Sequence, residues 1–131
     1  MSETAAEEKR IVEDKLAKAL EEAWTKANQA LDQATNNSQE AEMNIRLAAE
    51  AVEYSSALFS LTYSLEDLDP EVKIARNTQT LVLVKDSVDA LRQARELRGS
   101  SAAEAYTRLR TSADYLKRAY LNRVKNASKQ A

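Results

Sequence analysis

The sequence predicts an all-α, antiparallel up-down-up-down four-helix bundle, and three observations lead there. Helix breakers are almost absent: one Gly and one Pro occur in 131 residues, and these are the two residues that most disfavour a helix interior. The few breaks, at Asn36-Asn37-Ser38, Asp69-Pro70 and Gly99-Ser100-Ser101, divide the chain into four stretches of similar length. Within each stretch apolar residues recur at steps of three and four, the signature of a helix with one buried face. Such helices need one another to cover those faces, and short connections make sequential neighbours antiparallel. The expectation is one domain over residues 1–131, with helices at about 5–34, 38–67, 70–98 and 102–128. The alternative is a pair of long helical hairpins that complete their core by dimerising.

The first helix opens on Thr4 with Glu7, a capping box in which hydroxyl and carboxylate satisfy orphan backbone N–H groups. Its stripe runs Val12, Leu16, Leu20, Ala23, Ala27, Ala30 and Leu31. Asn37 with Glu40 suggests a cap for the second helix. Leu47, Ala51, Tyr54, Leu58, Leu61, Leu65 and Leu68 form its main stripe, and Ile45, Ala48, Val52, Phe59 and Tyr63 lie beside them. That wide apolar arc makes this helix the one expected to be most buried. Asp69-Pro70-Glu71 reads as the start of the third helix, with Asp as cap and Pro at the first helical position. Its stripe includes Ile74, Leu81, Val84, Val88 and Leu91, and Gly99 ends it as a C′ residue. Ser101 with Glu104 caps the fourth helix, whose stripe is Tyr106, Leu109, Ala113, Leu116, Tyr120 and Val124.

Composition narrows the function classes. Cys and His are both missing, which removes disulfides, thiolate zinc sites and the commonest general base. The start, Met1-Ser2-Glu3-Thr4, has no basic head and apolar core of a secretory signal, so a cytoplasmic location is expected. No apolar run is long enough to span a bilayer. A single Gly excludes a phosphate-cradling glycine loop. The Ser and Thr residues around Tyr54 and Tyr63 have no Lys on their own helix to serve as base, and are expected to bond back to the helix backbone.

Charge is split between the halves. Residues 1–69 hold fifteen acids and six bases, while residues 70–131 hold six acids and thirteen bases. Packing the acidic hairpin on the basic one neutralises part of this. On a helical wheel Lys117, Arg118 and Lys125 fall off the apolar stripe of the fourth helix, giving a basic outer face suited to a partner. Glu40 and Arg95 are expected to meet at one end of the bundle, and Glu66, Lys9 and Arg123 at the other, as ion pairs that fix register.

Two further constellations carry chemistry. Arg92, Arg95 and Arg98 precede the Gly99 turn, and Arg108 and Arg110 follow it. In an antiparallel hairpin all five gather at one end, an arrangement suited to phosphates of a nucleic acid or other polyanion. Glu50-x-x-Glu53 and Asp86-x-x-Asp89 resemble the acidic pairs of the all-α nucleoside triphosphate pyrophosphohydrolases. That resemblance covers these four residues alone and implies a carboxylate-held metal and phosphohydrolase chemistry. The wheel places all four outside the apolar arcs, so solvated faces are the reading preferred here, with no metal and no other cofactor. The sequence is therefore read as a non-catalytic interaction, adaptor or assembly protein. Its expected partner is another protein or a second copy of itself. Polyanion binding by the arginines is the alternative, and a metal-dependent phosphohydrolase is a remote third.

Overall fold

The structure, a computed structural model, describes the backbone of residues 2–36, 38–65 and 67–130 and the side chains of 4–36, 38–65 and 67–125. Four helices make up the architecture: α1 (Ser2–Thr35), α2 (Ala41–Tyr63), α3 (Thr80–Leu97) and α4 (Ala102–Gln130). α1 packs on α2 and α3, and α4 packs on the same two. The helices therefore stand at the corners of a square, with α2 and α3 on one diagonal. One chain closes its own core, with Leu16, Ile45, Val52, Phe59, Leu91, Leu109 and Leu116 fully buried.

Every neighbouring pair is antiparallel, but the order of directions is up-down-down-up. Three contacts fix it. Arg123, late in α4, donates to the Ser38 carbonyl in the α1–α2 turn at 3.3 Å. Asn122 donates to the Thr78 carbonyl, just before α3, at 3.1 Å. Midway along, the buried Ser112 hydroxyl of α4 donates to the Ser87 carbonyl of α3 at 2.9 Å. The start of α3 thus lies at the α1–α2 turn, and the chain must travel back along the bundle after α2.

The link between α2 and α3 makes that return, and this corrects the expected boundaries of the second and third helices. The 23 residues of α2 rise about 34 Å at about 1.5 Å each. Sixteen helical residues would span only about 24 Å, whereas the same length of extended chain reaches about 50 Å. Residues 67–75 alternate without a break: Leu68, Pro70, Val72 and Ile74 are half-buried, and Asp67, Asp69, Glu71, Lys73 and Ala75 are exposed. A period of two is that of an extended segment laid on a surface. Ile74 and Leu65 pack against the core. Pro70, expected to open a helix, suits this strap equally well, because its fixed φ serves polyproline geometry and the residue before it is steered away from the helical region.

The helix ends show further differences. α1 begins at Ser2, so Thr4 and Glu7 lie inside it rather than capping it. The Asn37 cap falls outside the described residues. α2 starts at Ala41, and its N-cap, Glu40, makes no side-chain cap bond. α2 ends on Ser64, which takes the left-handed conformation (φ 55°, ψ 52°) with its N–H on the Ser60 carbonyl. Gly99 does follow α3, but with a negative φ, and the turn closes through the N–H groups of Ser100 and Ser101 on the Leu97 carbonyl. α4 opens at Ala102 as expected.

Small residues hold the helices close. Ala23, Ala27, Ala48, Ala94, Ala105, Ala113 and Ala119 are buried, as are Ser55, Ser56, Ser87 and Ser112. The serines do bond back to backbone: Ser55 donates to the Ala51 carbonyl at 2.9 Å and Ser87 to that of Val84 at 2.7 Å. Among the described residues, no helix is long and apolar enough to cross a membrane.

Candidate partner-binding surface

α2 carries two apolar seams. The inner seam is Ala41, Ile45, Ala48, Val52, Ser55 and Phe59, at steps of four and three, and all six are buried. Two residues along, Met43, Leu47, Glu50, Tyr54, Ala57 and Leu61 repeat the same steps. An offset of two residues turns about 200° around a helix, so this second seam faces away from the core. Met43, Tyr54 and Leu61 are 56%, 57% and 64% exposed. Leu47 and Leu58 are half-buried at its edge.

Of the stripe expected to lie in the core, Leu47, Tyr54 and Leu61 belong to the outer seam while Ala51, Leu58 and Leu65 pack against the core, and the stripe noted beside it supplies the inner seam. The reason is geometric. α2 packs chiefly on α1 and α4, so it can bury one arc, and its apolar arc is wider than that. Ala41, Ala48 and Ser55 let neighbouring axes approach, whereas Leu47, Tyr54 and Leu61 would hold them apart. The densest packing therefore selects the inner seam.

The outer seam has a polar member and a charged border. Arg46 Nε donates to Glu50 Oε1 at 3.3 Å along the helix. On α1 the Lys26 ammonium sits 3.1 Å from Glu22. A shallow groove joins the two helices here, lined by Ala19, Glu22 and Lys26 from α1 and by Leu47, Glu50 and Tyr54 from α2.

The arginines predicted to form one cluster are divided between two faces. Arg92, Arg95 and Arg98 line a groove between α3 and α1, together with Glu21 and Glu96. Arg95 is half-buried, its guanidinium carbon 4.7 Å from the centroid of the Trp24 ring and its Nη2 bonded to Glu21. This contact replaces the expected Glu40–Arg95 pair: because α3 runs down, Arg95 ends near the middle of α1 and far from the α1–α2 turn. Arg92 donates to Asp89 at 2.9 Å and to Glu96 at 3.3 Å. The hydrogen bond and charge of Asp89, and then those of Glu96, hold the Arg92 guanidinium above its ordinary pKa. Arg98 lines the groove with no ion-pair partner among the described residues. Arg108 is exposed on α4, and Arg110 approaches Asp114 at 3.7 Å; neither lines that groove.

Lys117, Arg118 and Lys125 are exposed on α4, as the wheel requires. The strap reaches this face: Val72 and Ile74 line a shallow groove with Lys117, Arg118 and Leu121. The period-two pattern of residues 67–75 was the signal for it, masked by the helix-start chemistry of Asp69-Pro70-Glu71. Arg123 lies at the α1–α2 turn, at the other end of the bundle from Lys9, so that expected grouping does not form; Glu66 is outside the described residues. Glu50 and Glu53 lie on the opposite diagonal corner from Asp86 and Asp89, so the two acidic pairs stay apart. Among the described residues no three carboxylates come together as a metal site requires.

Comparison with protein-family models, with curated proteins and with solved structures finds no match to this chain.

Proposed function

We propose that this protein is a non-catalytic interaction and assembly module of the cytoplasm, and that its working surface is the outer seam of α2. One observation carries the reading: at coiled-coil spacing on the outer face of α2, Met43, Tyr54, Ala57 and Leu61 are exposed and Leu47 is half-buried. A merely solvated helix face has no use for apolar groups at five of six contact positions, whereas a partner helix meets a surface at those steps. The missing His and Cys support a binding role over acid–base or thiol chemistry. The exposed Lys117, Arg118 and Lys125 add a basic face for an acidic portion of the same partner.

A photoreactive residue placed at Leu61 tests this in the living cell, with one at Gln29, on the exposed polar face of α1, as control. The expected result is protein adducts of discrete mass from position 61 and none from position 29. Equal adducts from both positions, or none from either, overturns the reading.

A second reading rests on the groove between α3 and α1. Three arginines line it, and Arg98 brings no carboxylate of its own among the described residues. Glu21 and Glu96 already offset two of the three charges, which leaves a weaker polyanion site than five clustered arginines would make. Its signature is binding that falls steeply with salt.

A further inference from the structure

The outer seam fits a second copy of this chain. We propose that two copies pair along it, antiparallel, about a two-fold axis at the level of Val52, so that the protein is a homodimer. This inference rests on the outer seam being an interaction surface and commits to its occupant.

Pairing about this axis gives each seam residue a defined neighbour in the second copy. An antiparallel two-fold at position 52 sets Met43 against Leu61 of the second copy, Leu47 against Ala57, and Glu50 against Tyr54. Large side chains meet small or flexible ones, and the one carboxylate in the seam meets the one phenol. A carboxylate leaving water needs donors to offset its desolvation. Arg46 supplies one, at 3.3 Å within its own helix, and the facing Tyr54 hydroxyl supplies the other. A parallel pairing sets Glu50 against Glu50 and offers neither carboxylate a new donor. The polar residue thus selects the antiparallel arrangement, as polar seam positions do in coiled coils.

The border on α1 lies in the same face: the shared groove puts Glu22 and Lys26 beside residues 47–54 of α2. Turning one copy over face to face brings α1 against α1, so this mixed-charge border flanks the seam of the second copy. One axis therefore pairs Met43 with Leu61, Leu47 with Ala57 and Glu50 with Tyr54.

The area is sufficient. The face formed by α2 and the flank of α1 is about 34 Å long and about 20 Å wide, from helix rise and interaxial spacing, or roughly 700 Å² per copy. About 1,400 Å² in total lies within the range of specific stable pairs. With a polar pair at the centre and alanine among the contacts, a dissociation constant in the micromolar range is expected rather than a permanent dimer.

Sedimentation equilibrium of the full chain from about 1 µM to about 500 µM spans that range. The expected result is a reversible monomer–dimer equilibrium. Leu61→Glu, which places a charge in the seam twice per dimer, weakens it by about 100-fold or more, and Tyr54→Phe, which removes one donor from Glu50, by about 10-fold. Both residues are more than half exposed, and an unchanged helical signal and melting temperature of dilute protein confirm the fold of each variant. Because the chain has no cysteine, Met43→Cys and Leu61→Cys report on direction. A mixture of the two single variants should form a disulfide-linked dimer under oxidation, while neither does so alone. A monomer at every concentration, or equal cross-linking of either variant alone, overturns the proposal. If the chain is monomeric while position 61 still gives adducts with a different protein in the cell, the homodimer fails and the interaction surface stands. If both assays are negative, both fail.

Discussion

The two seams of α2 share the same spacing and have opposite fates. Ile45, Val52 and Phe59 are wholly buried, while Tyr54 and Leu61 are more than half exposed on the same 23-residue helix. Apolar period alone therefore does not decide which face turns inward. Size decides: the inner seam alternates small residues with large ones and lets α1 and α4 approach, and the outer seam is uniformly bulky apart from Ala57. The lesson for function is that a helix with more apolar arc than its neighbours can cover marks its spare seam as a surface for something else.

The comparison breaks most visibly at Phe59. Its side chain is fully buried and packs against Tyr63, with ring centroids 4.6 Å apart and the ring planes tilted by 37°. Phe59→Ala should lower unfolding free energy by about 3–5 kcal/mol, through lost transfer energy and the cavity left behind. Denaturant unfolding measures this, and a loss below about 1 kcal/mol would mean the inner seam is not the packed one. A smaller effect is expected where the bundle is held by a buried hydroxyl. Ser112→Ala removes the buried cross-helix bond to the Ser87 carbonyl and should cost about 1 kcal/mol by the same assay, the usual net worth of such a bond. The smallest effect belongs to the outer seam. Leu61→Ala, measured in dilute protein where no second copy is bound, should change stability by less than about 0.5 kcal/mol. A loss approaching that of Phe59→Ala would show that Leu61 is part of the core and would remove the basis for a docking surface.

The same contrast between local chemistry and packing appears in the charged sites. Arg92, Arg95 and Arg98 fall together because they occupy one side of one helix, which spacing shows directly. Arg108 and Arg110 do not join them, because their side of α4 is set by how α4 seats against α2 and α3. Arg95 meets Glu21 and Trp24 rather than Glu40 because the whole of α3 is reversed relative to the simplest bundle. Of the candidate surface, Leu47, Tyr54 and Leu61 were visible as part of an apolar stripe, but their exposure was not, and Met43, Glu50 and Ala57 lay outside that stripe. The return strap was equally visible as alternation over residues 67–75, and a well-formed helix-start signal at Asp69-Pro70-Glu71 outweighed it.

The sequence by itself determined that the chain is all-α, that four helices form, and where α4 begins. Those properties follow from local causes: the scarcity of Gly and Pro, apolar repeats at helical period, and the break between Gly99 and Ser101. Tertiary structure alone decided the direction of α3, the path of the strap over residues 67–75, and the choice of inner seam on α2. Each of these depends on contacts between residues distant in sequence, such as Arg123 with Ser38 and Asn122 with Thr78. A stripe of residues can state that a helix has an apolar face, but only the neighbouring helices determine how much of that face is covered.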